Sequence, residues 1–451
     1  TGLHGAMMAD IRFTFDGIPV GATEGMSLAA ALTQAGHRAF RSTANDAPRG
    51  MFCGMGVCQD CLLTVDGIPN LRACMTRAAH GMVIETQIAF PVLDPDATLP
   101  ETAEPRVLEP DVLVIGGGAG GLSAAIAARQ AGADVVVLDE RAVGGGQYYK
   151  QAADGSLLDA QQAEGAALLE DARASGAEFI GGVEIWGAFD GPLVLAMCGD
   201  HALVLKPKTV VVATGAYERP VIVPGWTLPG VMTTGAAQTL WRSYKTLPGR
   251  RVIVCGSGPL NMQVALELAE GGAEVALVAE TAPSPLRHPR LGAQLMYRGP
   301  ALAWKGVTML RGLRRRKVPV LNETRLIAIE PSGEALSATV QLRDGSTKSV
   351  SADAICMNGG FEPQNEILRL LGARMTYDPA AGHLRCDRSE VLETSVPGVF
   401  AVGDCAGLGG APAASAEGRI AGRSAAARTG HGDAYDQFAD LRVLRRHRRF
   451  Q

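Results

Sequence analysis

The stretch DVLVIGGGAGGLSAAIAARQAGADVVVLDE, residues 111–140, decides the fold. VLVI is an apolar run of strand length, and the glycines after it stand in GxGxxG register at Gly116, Gly118 and Gly121. LSAAIAARQAG reads as a helix and DVVVLDE as a second strand. In such a unit the first glycine makes a tight turn and the second lets the backbone approach a pyrophosphate. The third lets helix and strand pack closely, and the helix N-terminus faces the phosphates. Asp139 and Glu140 close the second strand, where a carboxylate accepts ribose hydroxyls. The segment therefore predicts a parallel α/β domain that holds a dinucleotide.

The same texture returns about 140 residues later in RVIVCGSGPL, NMQVALELAEGG and AEVALVAE. Two copies of one supersecondary unit predict two nucleotide-binding domains in one chain. In the second copy Gly256 and Gly258 are in register, but Asn261 stands at the third position. A side chain there pushes the helix slightly off the strand, so the fingerprint is incomplete. Glu280 is placed to hold a ribose 2′-OH and repel a 2′-phosphate, which favours NAD over NADP. Arg287, His288 and Arg290 argue the other way if they fold inward. NAD or an adenine nucleotide is the candidate occupant; a relic domain that binds neither is the alternative.

Upstream, IRFTFDGIPV alternates Ile11, Phe13 and Phe15 with polar residues and reaches Asp16-Gly17, a hairpin signal that LLTVDGIPN repeats at Asp66-Gly67. Ser27 can cap a short helix that Gly36 ends. Within this unit Cys53, Cys58, Cys61 and Cys74 have spacing C-x4-C-x2-C-x12-C, in FCGMGVCQDC and NLRAC. Four thiolates satisfy a two-iron cluster, and Gly54 and Gly56 let the loop wrap its sulfides. Zinc sites more often pair two short CxxC knuckles, so zinc is the weaker reading.

Prolines at 91, 95, 100, 105 and 110, with acidic residues among them, read as an extended, semi-rigid tether between folding units. Residues 1–9 are set aside from the fold, with Met8 a candidate initiator. The expected fold class is α/β: an α+β domain whose cysteine motif resembles ferredoxin-like domains, then two Rossmann-like domains whose arrangement resembles the glutathione-reductase type. The expected division is 10–90 for the cluster domain, 91–109 for the linker, 110–240 and 361–430 for the first nucleotide domain, 241–360 for the second, and 431–451 for a basic C-terminal helix.

The chain has 451 residues and a net charge of −4, with 47% apolar and 20% charged residues, so a large core forms and a general nucleic-acid or membrane-surface binder is disfavoured. No apolar run is long enough to cross a bilayer. Nine cysteines, four of them close together, suit a metal centre in a reducing, cytoplasmic setting better than a secreted disulfide framework. The other five form no CxxC pair, which disfavours disulfide-reductase chemistry. No HxxxH or HExxH pattern and no Ser/His/Asp constellation is present.

Four motifs carry a resemblance. VFAVGDCAG, with Gly403 and Asp404, resembles the strand–Gly-Asp motif of two-dinucleotide-domain flavoproteins, in which the Asp meets the flavin ribityl chain. VVVATGAYERP, with Thr214 and Gly215, resembles their ATG crossover. GGGQYYKQ (144–151) and RPVIVPGWTLPGVMT (219–233) resemble the FAD-bearing subunits of heteromeric sarcosine oxidase, opine oxidase, hydroxyproline dehydrogenase and hydrogen cyanide synthase. The resemblance implies FAD, held by Gly116, Gly118, Gly121, Asp139, Glu140, Arg141, Gly146, Gln147, Thr214, Gly215, Gly403 and Asp404. It also implies a partner flavoprotein that takes the amine or imino-acid substrate, and FMN at an interface between subunits. Some relatives continue into a further cysteine-bearing domain, so at Gln451 the chain is either truncated or lacks that module.

No acid–base pair for substrate oxidation is visible, which leaves the catalytic residues unassigned and favours an electron-handling subunit. The expectation is an FAD/2Fe–2S subunit of an amine or imino-acid dehydrogenase or oxidase. The alternatives are a stand-alone NAD(P)H-dependent reductase and a nucleotide-sensing scaffold with inert cofactors.

Overall fold

The computed structural model describes residues 11–91, 103–284 and 287–432. The chain divides into two compact units: 1–96 with 152–155 and 218–360, and 97–151 with 156–217 and 361–451.

In the first unit, the N-terminal domain is a five-stranded sheet in the order Ile18–Ala22, Ile11–Phe15, Val83–Thr86, Leu62–Val65, Ile68–Arg72. Both Asp-Gly pairs turn the chain with positive φ, as the tight hairpins require. Ser27 accepts from the Ala30 N–H and starts the helix Leu28–Gln34. The second nucleotide sheet is parallel, in the order Val231–Thr233, Ala354–Asn358, Arg251–Gly256, Glu274–Glu280, Val320–Asn322. A three-stranded meander, Arg325–Ser332, Ala335–Gln341 and Thr347–Ala352, follows it.

Two expectations are corrected here. The boundary expected at 240 moves back, because Val231–Thr233 pairs in parallel with Ile355–Met357 and carries the helix Thr234–Tyr244 with it. The N-terminal domain is also no separate folding body. Phe13, Phe15, Leu28, Leu63 and Ile84 share one hydrophobic core with Ala236, Leu240, Val252 and Val264 of the nucleotide domain. The apolar face of Thr234–Tyr244 makes this possible, because burying it on both sides removes more surface from water than leaving it exposed.

In the second unit, five parallel strands run in the order Glu178–Gly181, Val135–Asp139, Val112–Ile115, Thr209–Val212, Val399–Ala401. Val112–Ile115 and Thr209–Val212 are buried along their whole length, as central parallel strands are. The helices Ala119–Gln130 and Ala411–Arg428 cross closely on this sheet. A Cβ on Gly418 would stand 2.1 Å from the Gly120 carbonyl oxygen, and one on Gly422 2.1 Å from that of Ala124, so glycine is required at both.

Val183–Phe189, Leu193–Cys198 and His201–Leu205 form an antiparallel meander that Arg106–Leu108 joins in parallel. The linker expected over 91–109 therefore ends early: its last residues are a strand, since the backbone of Val107 finds partners beside Val204. Residues 92–102 lie outside the described residues, as does all but the start of the expected helix 431–451. No described helix is long and apolar enough to cross a membrane.

Candidate functional site

The first glycine loop leaves the C-terminal end of Val112–Ile115 and enters the helix Ala119–Gln130 with Gly118 as its N-cap. Gly121 serves the fold: a Cβ there would lie 1.8 Å from the Gly116 carbonyl oxygen. Gly118 is different, because a Cβ there would meet nothing closer than the Gly146 Cα at 3.8 Å. The space above Gly118 is open, at a helix N-terminus whose free N–H groups suit phosphate. Gly145 N–H donates to the Gly117 carbonyl at 2.8 Å, which brings the GGGQ segment, with Gly146, against the loop. Gln147 and Tyr148 are exposed, and the Tyr148 and Tyr149 rings pack edge to face at 4.9 Å.

Asp139 is committed to this loop. It accepts from Gly117 N–H at 2.6 Å and from Arg141 N–H at 2.7 Å. Burial pushes its carboxyl up, against those two hydrogen bonds. Glu140, next along, is half-buried at the same strand end.

At the same edge of the sheet, Val399–Ala401 runs into the turn Gly403–Cys405. Gly403 N–H donates to Glu417 at 2.7 Å, and Glu417 is held by Arg388 at 2.8 Å with little of either side chain exposed. Asp404 accepts from Gly409 N–H at 2.7 Å and from Gly410 N–H at 2.8 Å through one oxygen, Oδ1. Thr214 and Gly215 both bond the backbone of Gln364, through the Thr214 hydroxyl at 2.6 Å and the Gly215 carbonyl at 2.9 Å. One sheet edge thus gathers the glycine loop, the ATG crossover and Asp404. This is where parallel sheets hold ligands, beyond the carboxyl ends of their strands.

The second glycine loop is built similarly but is closed differently. Glu280, 5% exposed, accepts from Gly258 N–H at 3.2 Å and Ala282 N–H at 2.9 Å. Asn261 is buried and does not simply push the helix away. Its Oδ1 accepts from the Thr234 hydroxyl at 2.8 Å, and its Nδ2 reaches the Cys255 and Asn358 carbonyls at 3.4 and 3.5 Å. Glu218 accepts from Gly235 N–H at 2.7 Å and from Asn358. Nothing local in the sequence marks Thr234 or Glu218 for these roles.

The four cluster cysteines stand as two pairs. Cys58 hydrogen-bonds Cys53, which draws the Cys53 thiol down and pushes the Cys58 thiol up. Cys74 hydrogen-bonds Cys61 and is pushed up by that bond and by burial. Backbone N–H groups of the loop aim at the sulfurs, Met55 N–H lying 3.4 Å from the Cys53 Sγ. Arg41 clamps the loop at Asp60 at 2.8 Å and Arg72 at the Gly56 carbonyl at 2.9 Å. Among the described residues no three His, Cys, Asp or Glu groups converge on a single ion. Two thiol pairs with amide donors fit two irons better than one tetrahedral zinc. The thiols of Cys255 and Cys405 are inert by comparison: burial pushes Cys255 up to about 12, and Cys405 donates to the Val402 carbonyl at 3.2 Å.

Comparison with known proteins agrees with this geometry. Residues 110–426 match the family described as pyridine nucleotide-disulphide oxidoreductase, and residues 8–89 match a 2Fe-2S iron-sulfur cluster binding domain. The A-type subunit of opine oxidase from Rhizobium meliloti (strain 1021) is 33% identical over 321 residues, which is 69% of each chain. The alpha-type subunit of sarcosine oxidase from the same strain is 27% identical over 427 residues, 78% of this chain but only 40% of that one. The crystal structure of L-proline dehydrogenase from P. horikoshii covers 96% of this chain and 76% of its own with TM-score 0.71, at 20% identity, a likeness of fold. The chain belongs to the pyridine nucleotide-disulphide oxidoreductase family, with a 2Fe–2S domain at its N-terminus. It is a flavin-dependent oxidoreductase with FAD and a 2Fe–2S cluster as its cofactors.

Proposed function

We propose, on the premise of that family membership, that this chain is the electron-transferring FAD/2Fe–2S subunit of a heteromeric amine or imino-acid dehydrogenase or oxidase of the sarcosine, proline/hydroxyproline or opine class. The observation that carries the reading is the union of two centres in one chain. A dinucleotide fold with an open phosphate cradle at Gly118 is joined to two thiol pairs in the N-terminal domain. FAD, when bound, exchanges electrons in pairs with an organic compound and singly with a cluster. In this reading the first sheet edge holds FAD through Gly116, Gly118, Glu140, Gly146 and Asp404, while Gly121, Asp139 and Arg141 shape the loop. Cys53 and Cys58 hold one iron, and Cys61 and Cys74 the other. The opine and sarcosine oxidase relatives are named as subunits, which supports a partner flavoprotein that oxidises the substrate. A reducing, cytoplasmic setting suits the free thiols.

A surface feature supports the partner. Residues 281–317 contain nine Lys and Arg and no Asp or Glu, in a chain whose net charge is −4. The helix Pro300–Arg315 exposes Leu302, Trp304 and Leu310 beside Arg311, Arg314 and Arg315, and Arg311 lies over the Trp304 ring at 5.7 Å. Exposed Trp and Arg together are the composition of interface cores.

Anaerobic reduction tests the reading. Sarcosine, proline, hydroxyproline and an opine should each leave the isolated chain oxidised, and one class should reduce flavin and cluster once the cognate flavoprotein is added. Prompt bleaching by NADH, with steady turnover and no partner, would replace this reading with the NAD(P)H-linked reductase.

A further inference from the structure

We infer that the second nucleotide domain is the seat of the iron–sulfur loop, with Thr233 and Asn261 as positioning residues for the cluster thiolates. The inference rests on the four cysteines holding a cluster, and it gives a role to the two features a nucleotide-binding reading leaves over, the PGWTLPGVMT segment and the missing third glycine.

The seat is made by one short stretch. Thr233 N–H donates to the Phe52 carbonyl at 2.9 Å, and the Thr233 hydroxyl donates to the Cys53 carbonyl at 3.4 Å. The same hydroxyl accepts from Ala236 N–H at 3.1 Å as the N-cap of Thr234–Tyr244. Trp226 meets the Phe52 ring edge to face at 5.3 Å. At Gly54 the loop approaches so closely that a Cβ would lie 3.0 Å from the Ala236 Cα. Phe52, Cys53 and Gly54 are therefore fixed from outside their own domain.

Asn261 fixes the seat in turn. The Thr234 side chain is fully buried and Asn261 is 1% exposed, so both must find partners inside the protein. Each does, through the Thr234–Asn261 bond and the bonds from Asn261 to the ends of two nucleotide strands. A glycine at 261 would complete the phosphate fingerprint and leave the Thr234 hydroxyl without its acceptor. The sequence keeps the asparagine, and with it the link from strand ends to helix start to cluster loop.

The chemistry that needs this is local. A cluster's potential and lability follow the hydrogen bonds to its sulfurs and its exposure to water. The sulfurs here receive N–H groups of the loop backbone, as Met55 N–H does for Cys53. Holding the Phe52 and Cys53 carbonyls fixes the peptide planes on both sides of Cys53, and so the backbone from which its thiol projects.

The test uses the holoprotein and the variants Thr233→Val, Thr233→Ser and Asn261→Gly. FAD content and circular dichroism report folding. Iron, labile sulfide, the electron paramagnetic resonance spectrum after dithionite, and the rate of bleaching by an iron chelator report the cluster. Thr233→Val and Asn261→Gly should keep FAD but bleach several-fold faster, with a shifted or broadened spectrum, and Thr233→Ser should return both readouts to wild type. If Thr233→Val does not fold, Trp226→Leu, which removes the ring edge from Phe52, should give the same acceleration. Wild-type bleaching rates and spectra in all foldable variants would overturn the inference alone. A wild-type protein without iron and sulfide would instead overturn the cluster on which it rests.

Discussion

Gly146 lies against Gly118 across the first glycine loop: a Cβ on Gly146 would stand 2.9 Å from the Gly118 Cα, whereas a Cβ on Gly118 is clear to 3.8 Å. The contact is one-sided: no other heavy atom beyond its chain neighbours lies within 4 Å of a Cβ on Gly118. Gly118→Val should therefore fold, keep its cluster and lose FAD. Gly121→Val should fail to accumulate, since its side chain meets the Gly116 carbonyl at 1.8 Å already at Cβ. Flavin absorbance and thermal melting of the two proteins check this. FAD retained at wild-type level in Gly118→Val would remove the loop from the flavin site.

Asp404 supports the turn, and in the proposed site it also meets FAD. Asp404→Ala removes an ionised acceptor from two N–H groups, and such bonds are worth about 1.5–3 kcal/mol. FAD affinity should fall roughly 10–100-fold, read as flavin lost on exhaustive dialysis. Asp404→Asn, which keeps an acceptor oxygen, should lose less. Equal retention in all three proteins would confine Asp404 to the turn.

Cys58→Ser breaks one thiol pair. The purified wild type should contain about two irons and two labile sulfides per chain, and the variant should lose its cluster absorption. It should keep FAD, because the glycine loop and Asp404 belong to the other compact unit. Zinc without iron in anaerobically prepared wild type would refute the cluster.

Arg242, 1% exposed, pairs with Glu267 at 2.9 Å between the helices Thr234–Tyr244 and Pro259–Glu270. Gln238 and Gln263 also donate to that carboxylate. Glu267→Ala takes this carboxylate from a buried guanidinium and should cost about 3–5 kcal/mol in urea unfolding. Replacing Arg242 with Met and Glu267 with Leu together should recover most of it. A loss under about 1 kcal/mol for the single variant would show that the Arg242 charge finds other solvation.

The Arg-rich helix offers a surface test. Arg311→Glu combined with Arg314→Glu and Arg315→Glu changes exposed residues only, so FAD and iron contents should stay as in wild type. Co-purification of the proposed flavoprotein partner should fall at least ~10-fold, the effect expected when charges at an interface are reversed. Unchanged stoichiometry would place that partner elsewhere.

The glycine loops, the four cysteines and the Asp-Gly hairpins were readable in the sequence, because each is a local device whose residues lie within a few positions of one another. A turn needs its glycine and a cluster loop its spacing wherever the chain goes next. Asp139 shows where that reading stops. Its position at a strand end was plain, but only the folded loop commits its oxygens to the Gly117 and Arg141 N–H groups. The boundary near 240 and the independence of the N-terminal domain failed for the same reason. Strand pairing of Val231–Thr233 and the shared core around Leu240 depend on what lies opposite, which periodicity does not record. Thr233 and Cys53 are 180 residues apart, and no pattern along the chain connects them. A hydrogen bond acts over about 3 Å of space regardless of sequence separation, so tertiary structure alone decides which side chains steady the cluster loop.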